Sequence, residues 1–128
     1  MSIERYMVSG ELEPVSHYCH VVKADGFVGL SGMIGMKADG TIPEGTVEQF
    51  EIALKFIDTC LRKAGGKPNQ IVKVQIFMTD ISERSSINPI RIEYFGDHKP
   101  ASTLVEVSAL VDPRMRVEIE AVAYIDDK

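Results

Sequence analysis

From Ile71 to Thr79 the chain places apolar side chains on both alternating faces, with Val72, Val74, Ile76 and Met78 on one and Ile71 and Phe77 on the other. Such a segment reads as an interior strand of a sheet that is covered on both sides. The rest of the chain must supply that cover. With 128 residues, 45% of them apolar and 26% charged, the chain is sized for one domain over residues 1–128 with a single core.

Two helices are predicted. Thr46-Val47-Glu48-Gln49 has the form of a capping box, and Val47, Phe50, Leu54, Ile57, Leu61 and Ala64 follow at steps of three and four. Gly65-Gly66 ends that run, because glycine accepts the left-handed conformation a helix C-terminus needs. Ser82 to Phe95 reads as the second helix, with Pro89 fitting only near a first turn and Ile87, Ile90, Tyr94 and Phe95 forming the buried side.

Strands fill the remainder. Tyr18 to Ala24 and Phe27 to Met33 flank Asp25-Gly26 as a hairpin. Gly29, Gly32 and Gly35 in or just after the second arm mark a bulge or a close approach. The segments Thr103–Leu110 and Met115–Ile125 are the last two strands, joined through Asp112-Pro113. In the final one Met115, Val117, Ile119, Ala121 and Ala123 share a face, opposite Arg116, Glu118, Glu120, Val122 and Tyr124. The order is β-β-α-β-α-β-β, an α+β fold whose simplest architecture packs both helices on one face of one sheet. Two helices leave the other face bare, so self-association is predicted.

The 14 basic and 19 acidic residues give a net charge of −5, which argues against general nucleic-acid binding and against a ribonuclease role. The chain has no signal-like start and no apolar run of the ~20 residues that span a bilayer, so a soluble cytoplasmic protein with no membrane partner is expected. Cys19 and Cys60 are too far apart for a redox or zinc motif and read as half-buried or buried thiols. His17 and Cys19 would alternate with Tyr18 and His20 along a strand, which does not build a metal site. On that geometry His20 shares a face with Tyr18 and is a candidate ligand contact. Unperturbed, its ring is mostly neutral at pH 7.

Several landmarks recur in one order along the chain: Tyr18, Ser31-Gly32, Gly65, Asn88, Pro100-Ala101, Val105-Glu106-Val107 and Val117-Glu118-Ile119-Glu120-Ala121. In this they resemble the RidA (YjgF/YER057c/UK114) family of reactive-intermediate deaminases. The resemblance implies a chorismate-mutase-like fold, a homotrimer with small-molecule pockets in the clefts between subunits, and hydrolysis of enamines or imines to a carbonyl compound and ammonia without metal or organic cofactor. It assigns Glu118 to the attacking water and Tyr18, Ser31, Gly32 and Asn88 to substrate binding. The chain departs from the family at Ser102, where active members carry an arginine that grips the substrate carboxylate through two parallel hydrogen bonds. Serine brings one neutral hydroxyl, and Leu104 makes its neighbourhood more apolar. Both changes imply a substrate other than the small imino acids, with 2-aminomuconate-like compounds as one example. Arg84, Arg91, Arg114 and Arg116 read as surface or intersubunit charges, any of which a neighbouring pocket can recruit. The alternative is a trimer that binds a small metabolite and performs no chemistry.

Overall fold

The structure, a computed structural model, describes residues 2–126. Six strands, β1 (Ile3–Tyr6), β2 (Val21–Ala24), β3 (Phe27–Ile34), β4 (Ile71–Met78), β5 (Ala101–Glu106) and β6 (Val117–Tyr124), form one sheet in the order β1-β2-β3-β6-β4-β5. All neighbours are antiparallel except β4 and β5, which run parallel. The helices are α1 (Thr46–Lys63) and α2 (Asn88–Phe95). A core that includes Phe50, Ile57 and Leu61 of α1, Ile87, Phe95 of α2 and the inward residues of β3, β4 and β6 joins both helices to one face of the sheet. Full burial of a side chain as large as Phe50 or Leu61 contributes about 1.5–3 kcal/mol.

The α+β reading holds, with amendments. Strand β1 was not foreseen; its four residues are largely exposed and pair along β2, so they carry no alternating apolar signal. The first hairpin arm begins at Val21, and Tyr18 lies in the loop before it. Asp25 turns the hairpin at φ 52°. In β4 the pairing slips between Ile71 and Lys73, so Ile71 joins Val74, Ile76 and Met78 in the core while Val72 is 49% exposed. A one-residue bulge inverts everything upstream of it. The segment before α2 is a 3₁₀ helix, Ile81–Ile87, capped where Asp80 accepts from the Ser82 amide at 3.0 Å. Pro89 stands in the first turn of α2.

The start of α1 is where the sequence placed it, but for another reason. No side chain caps it: Thr46 donates to a Glu83 carboxylate oxygen at 2.6 Å, and Gln49 turns inward. At the other end Gly65 has φ 91°, and the Gly65 and Gly66 amides return to the carbonyls of Arg62 and Leu61 at 3.0 and 2.9 Å. This closes the helix with two otherwise unpaired carbonyls satisfied.

The last two strands do not pair with each other, because β4 lies between them. The face of β6 predicted to be apolar is buried throughout. On the opposite, helix-free face lie Phe27 and Tyr124, 42% and 60% exposed. Beside them sit Lys73 and Thr103, joined at 3.2 Å.

Candidate functional site

Glu118 occupies the helix-free face of β6, opposite Ile34 on β3 and Phe77 on β4. Its carboxylate lies over Gly32, where the β3–β6 pairing slips between Leu30 and Met33. A Cβ at position 32 would overlap that carboxylate, so glycine is what lets it settle there. Burial, and secondarily the charge of Glu120, push the Glu118 carboxyl above the usual carboxylate range. Among the described residues no hydrogen bond engages its oxygens, so they are free to accept from a ligand or water.

Glu118 and Gly32 line a cleft of about 460 Å³ with Tyr18, His20 and Ser31. Its walls are mainly apolar, including Leu12, Met33, Met36, Phe56 and Met115. Tyr18 is 45% exposed and presents its ring from the loop rather than from a strand. The Ser31 hydroxyl donates to the Cys19 carbonyl at 2.6 Å, leaving its oxygen as an acceptor.

His20 is buried, with both ring nitrogens engaged. The Val8 amide donates to Nδ1 at 2.9 Å, and Nε2 stands 2.9 Å from the Leu12 carbonyl. Since Nδ1 accepts, Nε2 is the nitrogen that donates, to the Leu12 carbonyl. The ring also meets Phe56 edge-on at 5.2 Å. His20 thus fastens the 8–12 segment to the cleft wall.

The remaining predicted residues are elsewhere. Asn88 and Leu104 line a second cleft of about 770 Å³ with Ile81, Arg84 and Arg91. Ser102, paired with the inward Val74, points to the helix-bearing face and accepts from Arg91 Nη2 at 2.9 Å. Within one chain the predicted set therefore falls into two groups, one in each cleft. Arg91 is the residue that sequence reasoning left among surface charges. The clue was its place three residues after Asn88, one helical step along the same face.

Cys60 is buried, which pushes its thiol up to about 12, and Cys19 is half-buried; neither thiol is paired in a disulfide. No helix among the described residues is long and apolar enough to cross a membrane.

Replacing Gly32 with alanine tests the close approach. The obstructed atoms are the end of a flexible side chain, so the carboxylate swings aside while the fold persists. The expected outcome is a melting temperature close to that of wild type and a loss of any Glu118-dependent turnover. An unchanged rate would show that the carboxylate position over Gly32 is irrelevant.

Residues 8–125 match the family model described as Endoribonuclease L-PSP. The chain is 41% identical over 113 residues to a RutC family protein of Aquifex aeolicus, covering 86% of this chain and 90% of the relative. It is 34% identical over 127 residues to the 2-iminobutanoate/2-iminopropanoate deaminase of Mus musculus, covering 95% and 93%. A solved structure of a Rid-family protein from Yersinia pestis superposes with a TM-score of 0.90 at 31% identity, covering 97% of this chain and 100% of that one. With the sheet order, the two helices and the landmark residues in place, the chain belongs to the RidA (YjgF/YER057c/UK114) family.

Proposed function

We propose that this protein is a deaminase that hydrolyses a reactive enamine or imine to a carbonyl compound and ammonia, with a preference shifted away from small imino acids. The observation that carries the reading is the Glu118 carboxylate, half-buried, unengaged and raised in basicity above an apolar cleft. The name of the mouse relative supplies the reaction class.

The imine carbon is already electrophilic, so the protein's task is to place and deprotonate a water. Glu118 takes a proton as the water oxygen bonds to the imine carbon, and hands it to the nitrogen, to which the C=N electron pair has moved, giving a neutral carbinolamine. Glu118 then takes the proton of the new hydroxyl as C=O forms and the C–N bond breaks. That second proton passes to the departing nitrogen, which leaves as ammonia. Water and imine become carbonyl and ammonia, with the protein unchanged. No step calls for a metal or organic cofactor.

The active assembly in this reading is a homotrimer whose sites lie between subunits. Two observations support it: Phe27 and Tyr124 are exposed on the helix-free face, and the predicted site residues divide between two separate clefts of one chain. The first cleft carries Glu13, Asp112 and Glu118 and no Lys or Arg, whereas the second carries Arg84 and Arg91 and no acid. A cleft pairing the two from neighbouring chains would hold both the base and a countercharge for an acidic substrate. Ser102 and Leu104 in the second group support the shifted preference.

The test is ammonia release from 2-aminoacrylate and from a series of longer imino acids, each generated in place by a partner enzyme. Acceleration that is greater for longer substrates is expected. Absence of acceleration across the series would leave the non-catalytic metabolite-binding trimer as the standing reading.

A further inference from the structure

The second cleft has the opposite electrostatic character from the molecule as a whole. The chain carries −5, yet this concavity is lined by two guanidinium groups, two serines, Asn88 and Leu104, with no carboxylate among its lining residues. Of its two cations, Arg91 is the one held by a side-chain hydrogen bond among the described residues. It projects from α2, is partly withdrawn from water, and spends one Nη2 hydrogen on Ser102 Oγ at 2.9 Å. Among the described residues it has no carboxylate partner, unlike Arg62 and Arg114, which bind Asp58 and Asp112 at 2.8 and 2.9 Å. Burial works against its charge, with no neighbouring anion compensating. A half-buried guanidinium with most of its donors unspent is an anion receptor awaiting its anion.

The Ser102 contact adds direction. By accepting from Arg91, the hydroxyl keeps its own proton free to donate, so guanidinium and hydroxyl can address the same anion together. The contact also ties the guanidinium to β5, which limits the rotamer freedom that Arg would otherwise lose on binding.

We propose that Arg91, steered by Ser102, is the residue of this chain that binds the carboxylate of its substrate. The identity of that anion as a substrate group rests on the deaminase reading. The binding role of Arg91 is separately measurable.

The experiment is titration of wild type, Arg91→Gln, Arg91→Lys and Glu118→Gln with 2-oxobutanoate, a carboxylate resembling a deamination product, by calorimetry at constant ionic strength. Turnover of the imino-acid series is measured in parallel. Loss of a charge-assisted pair corresponds to about tenfold to a hundredfold weaker binding, and that is expected for Arg91→Gln. Arg91→Lys is expected to recover part of the affinity, and Glu118→Gln to retain most of it. In turnover, Arg91→Gln should raise KM far more than it lowers kcat. Equal affinity of wild type and Arg91→Gln for 2-oxobutanoate, or no binding to either, would overturn the assignment even if wild type turns over imines. Arg91-dependent binding without turnover of any imine would uphold it while removing the deaminase reading. Unaltered thermal melting of Arg91→Gln separates these results from misfolding.

Discussion

Glu118→Gln is expected to reduce imine hydrolysis by about 10²–10⁴-fold, the range for removing a positioned general base, while leaving the fold and the binding of 2-oxobutanoate largely intact. The amide keeps the size of the side chain and its place over Gly32 but cannot take a proton from water. Rates for the wild type are expected to fall on acidification, with the midpoint displaced above that of an ordinary glutamate, because burial first and Glu120 second raise the Glu118 carboxyl. The same displacement has a thermodynamic consequence. A carboxyl whose folded pKa lies above its unfolded value binds its proton more tightly in the folded state. Its protonation therefore favours folding at low pH, and that advantage is lost as pH rises through the folded value. At neutral pH the wild type bears the cost of a half-buried anion that the glutamine variant lacks. The variant should melt no lower than wild type at pH 7, and the difference should shrink towards pH 4. A fully active Glu118→Gln enzyme would remove this residue from the mechanism, whatever its melting behaviour.

The features that were legible in the sequence are those governed by local periodicity. The α1 stripe and the inward face of β6 follow from period and burial alone, and both are found buried. Where the reading failed, a non-local contact had overridden a local pattern. Val72 alternates correctly for the core, yet the slip opposite β6 turns it outward. Thr46 and Gln49 have the spacing of a capping box, but Glu83 and the loops around Pro43 and Arg114 offer them better partners. The site divides in the same way. Glu118 and Gly32 could be named from motif, and the structure brings them together. That Asn88 and Leu104 face a different cleft depends on strand order, with β4 inserted between β5 and β6. Arg91 was indistinguishable from three other arginines in one dimension. Its contact with Ser102 joins α2 to β5 and exists only once the chain between them has folded back.

Gln49→Leu is expected to be strongly destabilising, and the reason bears on how Glu118 is held. Gln49 is fully buried in the first turn of α1. Its Nε2 donates to the carbonyls of Pro43 and Arg114 at 2.7 and 3.0 Å, and its Oε1 accepts from the Arg116 amide at 2.8 Å. One side chain thus joins the segment entering α1 to the segment entering β6, two residues before Glu118. Leucine preserves volume but leaves three backbone polar groups without these partners, each at a cost of about 1–3 kcal/mol when no water replaces them. Relief by movement is restricted, since a Cβ at Gly35 would already overlap the Gln49 backbone, showing how closely β3's end packs on this turn. A loss of about 3–5 kcal/mol is a large fraction of the ~5–15 kcal/mol that holds a domain of this size. It corresponds to a fall in Tm of roughly 10–20 °C. Gln49→Glu separates hydrogen bonding from packing: its carboxylate can still accept from the Arg116 amide but cannot donate to either carbonyl, so it should be at least as damaging despite near-identical shape. Thermal melts of both variants within a few degrees of wild type would refute the bridge. If the bridge holds, turnover by Gln49→Leu below its melting temperature should also fall, because the entry to β6 is what sets Glu118 above Gly32.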